Sequence, residues 1–288
     1  MRIADNKAGS VIRQYELELG GLYPIGEAKA IVALVFNHAL GWPAVDLALR
    51  RNEALSESEL LKVYLPLKRL RTGEPVQYVI GEVAFRGLRL KVNKSVLIPR
   101  PETEELVELI RARNSTASPR SIIDFGTGSG CIALSMKRAF PTTRVVGTDI
   151  SGSALAVAKE NGVLNGLDVE WVLADVLDRG SHLIGAPVDI IVSNPPYVPQ
   201  AEASTLTTNV REFEPASALF VPDSDPLLFY RSIAERSREL LAVGGQLWFE
   251  VHHRHGADVI PMLKSMGYAR TEIARDLSGM DRFVYAER

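Results

Sequence analysis

The sequence predicts an α/β protein, in which a mainly parallel sheet is covered by helices on both faces, preceded by a small helical domain and a β-hairpin. Three features carry that expectation. Up to about residue 72, apolar residues recur three and four apart, as in Ile31, Leu34 and Val35. Between Val79 and Leu97 the period changes to two. From about residue 121, short apolar runs alternate with helical stretches, the pattern of successive βαβ units. The expected divisions are a helical domain over 1–74, a hairpin linker over 75–98 and an α/β domain over 99–288.

Gly20-Gly21, Pro24, Gly41-Trp42-Pro43 and Ser56 divide the first segment into about four short helices. In the hairpin, Leu88, Leu90 and Val92 alternate with Arg89, Lys91 and Asn93, and Gly81 and Gly87 supply turns. Pro101-Glu102-Thr103-Glu104-Glu105 opens a helix, with proline in the first turn and carboxylates beside the positive end of the dipole. Strands are expected over 121–124, 144–149, 169–175, 189–194 and 245–251, with a last one including Arg282 to Ala286. Helices are expected over 130–139, 152–163, 226–242 and 256–266.

A chain of 288 residues, nearly half of them hydrophobic, has room for one large domain and a smaller one. Its formal charge of −2 gives no global footprint for nucleic acid or an acidic membrane surface. Cys131 is the single cysteine, so no intramolecular disulfide can form, and a cytoplasmic location is expected. Asp5, Glu16 and Glu18 interrupt any signal-like run, and apolar runs such as 31–36 are too short to span a bilayer. No internal repeat is visible, and a monomer is expected.

In open parallel sheets, ligands bind outside the carboxyl ends of the strands. Four of the expected strands end in a polar residue: Asp124, Asp149, Asp175 and Asn194. After Asp124 comes Phe125-Gly126-Thr127-Gly128-Ser129-Gly130 and then a helix. Alternate glycines let the backbone turn sharply and approach a ligand at the helix N-terminus, although a tight turn with no ligand has the same pattern. Cys131 stands where a dinucleotide fingerprint wants its third glycine, which argues against NAD. Asp149, about twenty residues on, suits a pair of ribose hydroxyls or a helix N-cap before Ser151. Asp175 suits an adenine amino group or is a solvated carboxylate. Together they describe an adenosine pocket without a pyrophosphate clamp, which S-adenosylmethionine fits.

The run Asn194-Pro195-Pro196-Tyr197 stops a buried strand abruptly. Neither proline has an N–H, and the residue before a proline is held extended, so Asn194 and Pro195 form a rigid row of acceptors. The Asn194 side-chain carbonyl and the Pro195 backbone carbonyl can hold the two hydrogens of a planar –NH₂ group, with Tyr197 stacked on its plane. Such a nitrogen belongs to an amide or to the exocyclic amine of a base. A proline-terminated strand running into a loop is the alternative.

In this order, DFGTGSG, GTDIS, AD and NPPY resemble a class I S-adenosylmethionine-dependent amino-methyltransferase. The flanking GEPVQYVIGEVAF (73–85), LIPRPETEELVE (97–108) and REFEPASALF (211–220) resemble the release-factor glutamine methyltransferases, the PrmC/HemK family. The resemblance covers about residues 73 to 288; residues 1 to 72 match only in being a helical domain of the right size. It implies a Rossmann-like fold with a seven-stranded sheet. It also implies methylation of the glutamine side-chain amide in the Gly-Gly-Gln loop of peptide chain release factors, which the N-terminal domain helps to grip.

By the same resemblance, Gly126, Thr127, Gly128, Ser129, Gly130 and Asp149 contact the cofactor, Asp175 or Val176 forms the adenine side, and Asn194 lies against both ligands. Asn194, Pro195, Pro196 and Tyr197 form the glutamine clamp. Arg100 and Glu102 lie near the pocket, and helix capping also accounts for Glu102. His252-His253-Arg254-His255 departs from the family pattern and suits a polar loop better than a metal site, because adjacent histidines on a strand end point apart. Cys131, at a helix start, suits packing or a lowered pKa. A nucleic-acid amino-methyltransferase is the chemical alternative, weakened by the charge-balanced N-terminal segment. A non-catalytic nucleotide-binding module is the other.

Overall fold

Consecutive apolar residues of the strands pack on opposite faces of one sheet, which is why the strands read as unbroken apolar runs. Ile122, Val145 and Ile190 lie in one core with Leu106, Ile110, Leu134 and Met136. Ile123, Val146 and Ile191 lie in another with Tyr230, Ile233, Val259 and Leu263. These are features of a computed structural model that describes residues 5–178 and 187–288. The chain divides into two compact units, one running to Gly81 and including Thr208–Phe213, the other formed by Glu82–Thr207 and Glu214–Arg288.

In the first unit the helices are α1 (Ala8–Leu19), α2 (Ile25–Leu40), α3 (Ala44–Leu49), α4 (Glu57–Leu70) and α5 (Val76–Ile80). Their limits follow from local chemistry. Ser56 and Glu59 form a reciprocal capping box at the start of α4, and Gly41 ends α2 in the left-handed conformation at φ 70°. Val11, Tyr15, Leu19, Val35, Phe36, Val63 and Leu67 form the core. The Tyr15 hydroxyl, fully buried, donates to the Val63 carbonyl and so leaves no polar atom stranded.

The second unit contains β1 (Glu82–Phe85), β2 (Leu88–Lys91), α6 (Pro101–Arg113), β3 (Ser121–Phe125), α7 (Cys131–Ala139), β4 (Arg144–Asp149), α8 (Gly152–Asn165), β5 (Glu170–Leu173), β6 (Val188–Ser193) and β7 (Val198–Pro199). A 3₁₀ turn, Gln200–Thr205, leads to α9 (Thr208–Phe213), which belongs with the first unit. Then come α10 (Ala216–Leu219), β8 (Phe220–Val221), α11 (Leu228–Leu240), β9 (Leu241–Glu250), α12 (Gly256–Ser265), β10 (Arg270–Arg275) and β11 (Asp281–Glu287). Seven strands form one sheet in the order β10-β11-β9-β6-β3-β4-β5. Only β11 runs against its neighbours. This is the Rossmann-like class I arrangement.

Two differences from the sequence expectation have physical causes. The edge strand β10 was not expected, since Ile273 and Ala274 are its only apolar residues and it pairs on one side only. The expected strand over 169–175 ends at Leu173, so Asp175 lies in the loop beyond it rather than on the strand.

Part of the stretch expected as a hairpin linker is bonded to α8 of the second unit. Asn161 and Asn165, one helical turn apart, face backbone groups two residues apart on β2. The Lys91 N–H donates to Asn161 Oδ1 at 2.6 Å, and Asn161 Nδ2 donates to the Lys91 carbonyl at 3.0 Å. Asn165 makes the same exchange with Arg89. Asn161 Nδ2 also donates to the Ser129 carbonyl at 2.9 Å, tying the ribbon to the glycine loop. Replacing the fully buried Asn161 with alanine is therefore expected to cost about 3 kcal/mol. The measurement is a urea titration, in which the midpoint falls while the slope is unchanged.

Candidate functional site

Strand register sets the site. Phe125 is level with Thr148 on one side and Ser193 on the other, and Ser193 is level with Phe249. Gly126, Asp149, Asn194 and Glu250 therefore each follow by one residue at the same sheet edge. The chain proceeds from β3 to β4 and β5 in one direction, and then returns to place β6 on the other side of β3. That reversal opens a crevice at the carboxyl ends of the strands. A cavity of about 300 Å³ lies there.

The glycine loop is pinned from beneath and open above. Gly126 and Gly128 have φ of 70° and 55°, and a Cβ on either would meet nothing within 4 Å. The Thr127 N–H donates to the Thr148 carbonyl at 2.8 Å, and its hydroxyl donates to Asp124 Oδ2 at 2.6 Å. Gly128 N–H donates to Asp149 Oδ2 and Ser151 N–H to Asp149 Oδ1, both at 2.9 Å. The N-cap of α8 is Ser151, whose side chain accepts from the Ala154 N–H. Asp149 is thus spared the capping role, and its carboxylate keeps acceptor capacity for a ligand hydroxyl. Gly130 differs from its neighbours. It does not line the cavity, and a Cβ there would approach the Trp171 ring to 2.9 Å.

Thr127, Ser129, Asp149, Asp175 and Val176 line the cavity, with Ile150 and Leu177 adding apolar surface. The Asp175 carboxylate also accepts from the Leu177 N–H at 2.8 Å. Among the described lining residues, Arg100 is the one cationic side chain, and it is committed to the buried Glu214 at 2.5 Å. Glu214 also accepts from the Ile98 N–H. A lining with two carboxylates and no free cation suits a cationic sulfonium ligand and disfavours a pyrophosphate. Asp124 Oδ1 is buried with no partner. Burial pushes the Asp124 carboxyl up to about 7, against the opposing hydrogen bonds from Thr127 and the Ala133 N–H. Burial also raises Asp149.

Asn194, Pro195 and Pro196 line the same cavity, and Tyr197 does not. The Tyr197 ring lies 5.8 Å from His252, and its hydroxyl donates to Glu250 Oε1 at 3.3 Å. Asn194 Nδ2 donates to Thr103 Oγ1 at 3.3 Å, and Thr103 Oγ1 donates to Glu250 Oε2 at 2.7 Å. Burial pushes Glu250 up to about 6 and raises Tyr197.

A model of the PrmC N-terminal domain matches residues 10–81, and one of the methyltransferase small domain matches residues 102–223. The release factor glutamine methyltransferase of Bacteroides thetaiotaomicron is 41% identical over 98% of this chain and 100% of its own. This chain belongs to the release factor glutamine methyltransferase family. The relative from Flavobacterium psychrophilum is 38% identical over 94% of this chain and 95% of its own. A 16S rRNA methyltransferase of T. thermophilus, solved with AdoMet and guanosine, is 17% identical. Covering 72% of this chain and 49% of that one with a TM-score of 0.51, it shares the fold. The match over 10–81 extends family membership into a region where the sequence motifs show only a helical domain of suitable size.

Of the two readings of Cys131, packing against the core stands and a lowered pKa does not, because burial, reinforced by Asp124, pushes the thiol up to about 12. One expectation needs correction. The histidines do not point apart: past the end of β9, the rings of His252 and His253 lie 4.6 Å apart and those of His252 and His255 lie 5.4 Å apart. Burial and the neighbouring His253 push His252 down to about 4. Among the described residues, no group of three or more metal-type side chains is placed to hold an ion. Sequence reasoning missed Thr103, Glu214 and Glu250 as parts of the site. Thr103 reads as one more residue of a helix start, and Glu250 as the end of an apolar strand; only the polar residue closing that strand hinted at it.

The raised Asp124 carboxyl makes ligand-free stability depend on pH. In the unfolded chain the group titrates near 4, so between about 4 and 7 the folded state alone holds the proton. Stability from this group is full below that range and falls by about 1.4 kcal/mol per pH unit on the way up. Urea titrations at pH 5 and 7.5 are expected to show a decline in the wild type that is clearly smaller in Asp124→Asn.

Proposed function

We propose that this protein transfers the methyl group of S-adenosylmethionine to the side-chain amide nitrogen of the glutamine in the Gly-Gly-Gln loop of peptide chain release factors. The observation that carries the reading is the Asn194-Pro195-Pro196 run at the end of β6, one strand from the glycine loop and lining the same cavity. Family membership supports the same substrate, since the named relatives are release factor glutamine methyltransferases.

On this reading, Gly126, Thr127, Gly128 and Ser129 receive the methionine portion of the donor and Asp149 takes the ribose hydroxyls. Asp175 and Val176 border the adenine, and Gly130 keeps the loop packed behind them. When bound, S-adenosylmethionine supplies an electrophilic methyl group on sulfur. An amide nitrogen is a weak nucleophile because its lone pair is shared with the carbonyl. Asn194 Oδ1 and the Pro195 carbonyl accept its two hydrogens, aiming the lone pair and stabilising positive charge as the N–C bond forms and the S–C bond breaks. One of those protons then leaves to water, giving the neutral N-methyl amide. Arg100, held by Glu214, borders the peptide side of the pocket, and Tyr197 braces the clamp from behind.

Residues 1–74 form the proposed release-factor-binding domain, with the 75–98 segment leading into the catalytic domain. A cytoplasmic monomer is the proposed working form. No described helix is long and apolar enough to cross a membrane.

The decisive assay is incubation with labelled S-adenosylmethionine and a purified release factor, its loop Gln-to-Ala variant, or DNA. Label is expected on the normal factor alone; label on DNA, or equal label on the variant, overturns the proposal. Asn194→Ala is expected to lower kcat by about 100-fold or more, the scale for losing one preorganised charge-stabilising contact. Calorimetry is expected to find donor binding retained.

A further inference from the structure

For Asn194 to hold an –NH₂ group, it must present its carbonyl oxygen and not its own –NH₂, yet the two ends of an asparagine amide have nearly the same shape. We propose that Thr103 and Glu250 are positioning residues that set this orientation through a hydrogen-bond relay of a single polarity, turning Asn194 Oδ1 toward the substrate. This deepens the amide-clamp reading above and rests on it.

The relay follows from counting protons. A carboxylate has none to give, so the Thr103 hydroxyl proton is committed to Glu250 Oε2 at 2.7 Å. The Thr103 oxygen then offers only lone pairs to its other neighbour. Asn194 meets it with Nδ2 at 3.3 Å, and Oδ1 is left on the opposite side of the amide. A flipped Asn194 would set two lone-pair atoms against each other at the cavity wall, where Thr103, 2% exposed, leaves water little room to relieve them. The other Glu250 oxygen takes the Tyr197 hydroxyl at 3.3 Å. One carboxylate therefore braces both ends of Asn194-Pro195-Pro196-Tyr197, and the prolines between carry the constraint through the backbone.

Strand register makes the arrangement possible. Glu250 follows Phe249, which is level with Ser193, the residue before Asn194. Thr103 reaches both from the first turn of α6. Glu250 is also faced by Arg282 of β11, Glu102 of α6, Tyr230 of α11 and Cys131 of α7. Burial holds its carboxyl near 6 against the opposing pull of Thr103 and Arg282. Protonation gives Glu250 a hydrogen of its own, so Thr103 is released to donate to either neighbour and the relay loses its single polarity.

The test is steady-state methylation of a release factor by the wild type, Thr103→Val, Thr103→Ser and Glu250→Gln, with donor affinity measured for each. Valine keeps the shape of threonine without the hydroxyl. Thr103→Val is expected to lower kcat by about ten- to a hundredfold with donor affinity unchanged, and Thr103→Ser to recover most of that loss. The wild-type kcat is expected to fall as pH drops through about 6, a limb that both Thr103→Val and the non-titrating Glu250→Gln lack. An active wild type with unchanged kcat in Thr103→Val, equal impairment by serine and valine, or an acid limb persisting in Glu250→Gln each overturns the relay. A wild type that leaves the release factor unmethylated overturns the functional reading and the relay with it.

Discussion

The hydrogen bond from Ser193 Oγ to the Phe125 carbonyl, 2.7 Å long and fully buried, fastens the end of β6 to the end of β3 at the point where strand order reverses. Everything on the ligand side begins one residue later, with Gly126 after Phe125 and Asn194 after Ser193. A slip of one residue in this pairing would turn every side chain of β6 to the opposite face and bury Asn194 or expose Val192. The two cores make such a slip costly. Ile190 and Ile191 pack on opposite faces, each against its own set of helices, and each fully buried side chain is worth about 1.5–3 kcal/mol. Packing energy is thereby converted into positional precision at the sheet edge.

The polar groups at that edge follow one electrostatic logic. Asp124 and Glu250 are buried, Asp149 is half-buried at the cavity wall, and burial raises all three, so the site and its supports hold more carboxylate than their surroundings comfortably solvate. The arginine at the cavity wall does not offset them, because Glu214 already takes its charge. A ligand carrying positive charge repairs this imbalance, whereas a phosphate worsens it. The glycine loop, common to many nucleotide folds, does not by itself choose between such ligands; the charge of its neighbours does.

Much of this was legible in the sequence because the informative residues are local. The 121–125, 144–149 and 188–193 strands announce themselves as β-branched runs, and Asp149, Gly126, Gly128 and Asn194 stand at their ends, where a parallel sheet brings them together. What stayed illegible depends on register between distant segments. Thr103 and Glu250 are 147 positions apart, and nothing local says that a threonine in a helix start meets a glutamate closing a strand. Gly130 shows the same limit in reverse. It reads as a third ligand-facing glycine, but the Trp171 ring from β5 occupies the space its side chain would need. Strand β10 was hidden because an edge strand with few apolar residues lacks the pattern that marks a buried one.

A buried carboxyl near 6, one hydrogen bond from a clamp tyrosine, invites the reading of a general base. The geometry argues otherwise. Glu250 does not line the cavity, and both its oxygens already accept, from Thr103 and Tyr197. Nor does the chemistry require a base. An amide holds its protons far too tightly for a carboxyl near 6 to remove one before methyl transfer, and once the nitrogen is alkylated it is acidic enough to release a proton to water. What the reaction lacks without the protein is orientation: a lone pair directed at carbon and two acceptors already in position when charge develops. On the proposed reading, fixed prolines and an asparagine held in one flip state supply that, and Glu250 contributes while ionised, when it has no proton to give.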